Sequence, residues 1–228
     1  MIMTERADEI GRGLLPRAAA FVYRYLVLGA FLALLGVPTL LVWTLLVPSV
    51  GNAVLFVAAM VPVAPALSAA LYAQRDWSTS PDLTPGRALW RGLRTNLVDT
   101  LKWWLPVLAV AAVLAVNLQY ADTVAGGRIL QPICLVLLAV LALWSGHLLA
   151  VTAYFSFRTR DALRVAAAEL AQWRATLGLA ALLVVAVATV LLTSEAVLLA
   201  TGWAFAGLLR LVLRPVEADV VKRFVRHD

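Results

Sequence analysis

The chain is short of the residues that most catalysis and most soluble folds need. Of its 228 residues 14% are charged, two are histidine and one is cysteine. The lone Cys134 excludes an intrachain disulfide and gives a thiolate metal site no second thiolate. His227 sits in a charged tail, which leaves His147 as the one histidine base inside an apolar run, with no Asp or Glu at its depth to orient it. No Gly-x-x-x-x-Gly-Lys-[Ser/Thr] loop occurs, and Gly11-Arg12-Gly13 is too short to cradle a phosphate. The Cys, His and carboxylate positions offer no metal-ligand spacing. These absences predict a non-enzymatic protein without metal or cofactor.

Hydrophobic residues make up 63% of the chain, against roughly 45–50% in soluble domains. Several uncharged runs reach the ~20 residues needed to cross hydrocarbon. Glu5, Asp8 and Glu9 spoil the basic start of a cleavable signal, so the first apolar run reads as an uncleaved anchor. The expected architecture is all-α: a single transmembrane domain over residues 1–228 with six membrane-spanning helices. The spans fall at about 25–47, 52–72, 103–120, 129–155, 175–192 and 196–213. Two cytoplasmic amphipathic elbow helices, 74–102 and 158–174, connect spans two to three and four to five.

The net charge of +6 does not signal nucleic acid, because the basic residues stand at the ends of apolar runs, where they orient helices. Eighteen of the nineteen Lys and Arg residues fall on one side of the six-span scheme, leaving Arg128 on the other. Positive residues stay inside, so both termini of this multi-pass protein are expected in the cytoplasm.

The longer elbow carries the most pattern. Thr84 stands where an N-cap belongs, and Pro85 takes the first helical position. Leu89, Leu93, Leu97 and Leu101 recur every fourth residue, while Arg87, Arg91 and Arg94 occupy another face. With Trp90 and Lys102, these residues predict a helix lying against anionic headgroups, or docking a partner, before turning into the bilayer at Trp103-Trp104. Arg87-Ala88-x-x-x-Gly92, followed by Leu105-Pro106, also resembles the coupling loop of binding-protein-dependent importer permeases, though Gly86 replaces its Glu. A weak internal repeat pairs Ala70–Arg75 with Ala153–Arg158, each preceding a Trp-Arg pair (Trp90-Arg91, Trp173-Arg174).

Inside the spans, Pro62 and Pro65 each free a carbonyl four residues back, at Ala58 and Val61. Two readings stand: a broken helix lining a polar cavity with Ser68, Gln131 and His147, or a kink whose carbonyls are satisfied by Ser68, water or a neighbouring helix. His147 itself reads either as a proton relay or substrate ligand, or as a neutral side chain bonded to a neighbouring helix.

As a whole, the layout resembles the YesL-like family of bacterial membrane proteins. The resemblance rests on Gly36-Val37-Pro38-Thr39 in the first span, Pro65–Tyr72 closing the second, the Arg87–Leu97 pattern, a late Arg-rich loop and a basic tail. Gly29-Ala30-Phe31 departs from the family's usual opening, and Leu93 stands where a Phe is usual. The resemblance implies a non-enzymatic accessory of a carbohydrate uptake system, partnered by components of a sugar ABC importer. The alternative is a transporter or importer permease subunit whose elbow docks a cytoplasmic partner.

Overall fold

A computed structural model describes residues 14–47, 49–79, 84–123 and 127–224. Glu5, Asp8, Glu9, the Gly11-Arg12-Gly13 run and the tail beyond Phe224, His227 included, lie outside the described residues. Among the described residues every regular element is helical. Nine α-helices follow in order: α1 Leu14–Leu45, α2 Ala53–Ala58, α3 Val63–Thr79, α4 Pro85–Tyr120, α5 Gly127–Tyr154, α6 Thr159–Glu169, α7 Trp173–Leu192, α8 Glu195–Ala200 and α9 Gly202–Phe224.

Among the described residues five helical segments are long and apolar enough to cross a membrane: Ala18–Leu45, Ala53–Thr79, Pro85–Thr123, Gly127–Tyr154 and Trp173–Leu192. Their outward faces carry Leu26, Leu34, Val113, Val136, Val184 and Leu191, all half exposed or more. Such a continuous apolar exterior would be unstable in water and is what hydrocarbon covers. The chain is therefore a membrane-embedded helical protein. The segment expected as a sixth span, 196–213, is split at Thr201 into the short α8 and the longer α9. Thr201 Oγ1 donates to the Val197 carbonyl, which closes α8 locally. Arg210, Arg214, Glu217 and Asp219 then make α9 too polar to count as a span by composition.

The polar stretch Gln74–Lys102 does not form an elbow helix separate from the spans. Gln74–Thr79 is the end of α3, and Pro85–Lys102 is the first half of α4, which runs on through Trp103-Trp104 as helix. Its 36 residues measure about 54 Å, well beyond the ~30 Å hydrocarbon core. What holds this half is protein. Pro85, Ala88, Leu89 and Gly92 are buried, and Ala88 and Leu89 share a cluster with Ala70, Ala73 and Trp77 of α3 and Leu28 and Leu32 of α1. Of the four leucines expected on the apolar stripe, Leu89 is fully buried while Leu97 is exposed, so the buried edge runs through small residues. A Cβ on Gly92 would stand 2.8 Å from Tyr72 Cδ1 and 3.0 Å from its Cβ, so glycine sets how closely α3 and α4 approach. The shorter polar stretch does form its own helix, α6, with Ala162, Val165 and Ala166 turned into the main core beside α5.

Candidate functional site

The helix that the proline pair interrupts stops at Ala58 and restarts at Val63. Proline supplies no N–H and its ring crowds the preceding turn, so the backbone at this depth must find other donors. The Ala58 carbonyl takes the Val61 N–H at 3.1 Å, and three side chains serve its neighbours. Thr39 Oγ1 donates to the Ala59 carbonyl at 2.7 Å, Trp43 Nε1 to Phe56 at 2.9 Å and Trp104 Nε1 to Met60 at 3.0 Å. The break is thus enclosed between α1 and α4. Ser68, expected to help there, instead accepts from Asn96 Nδ2 of α4 at 3.2 Å.

His147 is fully buried on α5, with Nε2 3.0 Å from Thr176 Oγ1 of α7. That hydroxyl donates its proton to the Leu170 carbonyl at 3.0 Å. It therefore accepts from the imidazole, which fixes the Nε2–H tautomer and leaves Nδ1 as a buried lone pair with no partner among the described residues. Gln131 is exposed in the first turns of α5, sixteen residues or about 24 Å from His147 along the helix. Pro62, Pro65, Ser68, Gln131 and His147 are not brought together, and none of them lines either of two cavities that open between the helices.

The exposed face of α4 carries Arg87, Trp90, Arg91 and Arg94 to solvent or headgroups, Trp90 being 57% exposed. Lys102 is also exposed and pairs with Asp99 at 2.8 Å, one turn earlier on the same helix.

A polar seam between α3 and α9 was invisible in the sequence. Gln74, almost wholly buried, donates from Nε2 to the Ala206 carbonyl at 3.1 Å. Arg210 Nη2 donates to Ser78 Oγ at 2.9 Å. Arg75 Nε lies 2.9 Å from Glu217 Oε1, while Nη1 donates to the Tyr154 carbonyl at 2.6 Å. The same guanidinium stands over the Tyr154 and Phe155 rings, 5.4 and 5.6 Å from their centroids. Read by sequence, Arg75 is one more orienting charge and Glu217 one more tail residue. Their meeting depends on α9 lying along α3, which no local pattern announces.

Two cavities open beside this seam. One, of about 230 Å³, has mixed walls that include Tyr72 of α3, Asn96 and Asp99 of α4, and Ser156 and Thr159 after α5. The other, of about 400 Å³, lies among α3, α4, α5, α7 and α9 and is walled almost wholly by apolar side chains such as Leu67, Val107, Leu141, Leu182 and Phe205. Trp103 lines both. Among the described residues no group of three or more His, Cys, Asp or Glu side chains is placed to hold a metal ion.

No protein-family model, no curated protein and no solved structure matches this chain.

Proposed function

We propose that this chain is a non-enzymatic accessory component of a bacterial carbohydrate uptake system, multi-pass in the cell membrane with both termini cytoplasmic. The observation that supports this reading is the exposed basic and aromatic face Arg87, Trp90, Arg91 and Arg94, borne on a helix that continues rigidly into the bundle. A surface so anchored suits docking to anionic headgroups and to a partner importer's cytoplasmic side. Within the spans Thr39, Trp43 and Trp104 serve carbonyls of the interrupted helix, and His147 Nε2 bonds Thr176. The carbohydrate context comes from the resemblance to the YesL-like family alone.

The purified protein in liposomes is expected not to accumulate sugar under a proton or sodium gradient. Deleting it should lower uptake by a partner importer while leaving that importer's ATPase activity intact. Replacing Arg87, Arg91 and Arg94 together with Glu should reproduce the deletion. One observation favours a second reading, a transporter in its own right: the interruption at 58–63 adjoins the apolar cavity, which Met60 and Val63 help to line. Gradient-driven sugar accumulation abolished by His147→Ala would establish that reading and overturn the first.

A further inference from the structure

The two cavities are stacked along α4. Asn96 and Asp99 line the mixed cavity, Trp103 lines both, and Val107, Leu108 and Ala111 line the apolar one, so that Ala111 stands about 12 Å from Trp103 along the axis. Polar walls thus lie toward the charged end of the bundle and apolar walls toward the middle of the spans. That is the polarity of a lipid-like molecule in one leaflet. We propose that the pair forms one binding site for an amphiphile, its head in the mixed cavity and its alkyl chain in the apolar one.

The chemistry of the head follows from the walls. Asn96 offers an amide, Tyr72, Thr95, Ser156 and Thr159 offer hydroxyls, and Asp99 is the charged side chain among them. Lys102 Nζ holds that carboxylate at 2.8 Å, which makes the wall locally neutral. Among the described residues no basic side chain lines this cavity, as a phosphate would require. A neutral, hydroxyl-rich head matches donors and acceptors of this kind, and a glycoside is the simplest chemical class that carries one.

The chain half of the site is equally constrained. An apolar cavity of ~150 Å³ already stays dry and takes up a benzene-sized guest. At about 400 Å³, this one is well above that size and falls among ordinary ligand sites. Trp103 lines both halves and so marks their junction. The site stands independently of the uptake reading, since neither the basic face of α4 nor a partner importer enters it.

The test uses the full-length protein in phospholipid nanodiscs, an alkyl glucoside carrying a photoactivatable diazirine in its chain, and mass spectrometry of the crosslinked peptides. Label is expected on Val107, Leu141 and Leu182, suppressed by excess unlabelled alkyl glucoside and untouched by the same excess of alkyl phosphate. Ala111→Phe, which fills the apolar cavity, should lower labelling about tenfold with the melting temperature held. Label confined to outward residues such as Val136 and Val184 would overturn the site, as would equal competition by alkyl phosphate. Both of these outcomes are measured on the wild-type protein, whatever the stability of the variant.

Discussion

Arg75 is the residue whose replacement tests the packing of α9 most sharply. Arg75→Met keeps the apolar stem and removes the guanidinium. Three interactions go with it. The bond to the Tyr154 carbonyl, a charged donor at 2.6 Å, contributes about 1.5–3 kcal/mol. The pair with Glu217 involves side chains 37% and 26% exposed, so solvent screening holds it to about 1 kcal/mol or less. The placement over the two rings adds about 0.5–1 kcal/mol. Because one group makes all three, they overlap, and a net loss of about 3 kcal/mol is expected. For a chain of this size that corresponds to a fall of about 6–12 °C in melting temperature. The assay is the monodisperse fraction surviving a heat step, read by fluorescence-detected size exclusion in mild detergent. Glu217→Gln removes only the screened ion pair and should cost about 1 kcal/mol. The double variant should then melt close to Arg75→Met alone. If Arg75→Met shifts the melting temperature by no more than Glu217→Gln does, the Tyr154 carbonyl is not the anchor and the argument for the seam fails.

Two further outcomes follow from the interrupted helix and the charge asymmetry. Thr39→Val and Trp43→Phe each strip a donor from a carbonyl of the break, and each should cost about 0.6 kcal/mol, the average for bonds between membrane helices. Paired in one protein they should be nearly additive in thermal stability, and full retention of the wild-type melting temperature would mean that water, not side chains, serves the break. In a Cys134→Ala background, a single cysteine at Thr123 should react with an impermeant thiol reagent on intact cells, while one at Thr159 should be protected. Labelling at Thr159 from outside would reverse the assigned orientation.

What the sequence determined by itself was the kind of molecule and the course of its helices. Apolar length and the near absence of charge within the runs force helices that satisfy their own backbone in hydrocarbon, and five such segments lie where the apolar runs do. Pro62 and Pro65 announced the interruption of the second run, because proline's missing donor is a local property. Interactions between distant segments had no such signal. The sequence placed a turn into the bilayer at Trp103-Trp104, but packing of Ala88 and Leu89 on α3 and α1 allows α4 to continue past it as one helix. It placed a sixth span at 196–213, where the structure divides the segment at Thr201 and carries α9 on to Phe224. Only tertiary structure chose Thr39, Trp43 and Trp104 as donors to the break, set Arg75 against Glu217 and Tyr154, and stacked a polar cavity on an apolar one around Trp103. Each of these depends on which helix lies beside which. In a membrane nearly every helix is apolar all round, so periodicity hardly marks the face that meets protein, and close fit between small and large side chains decides it.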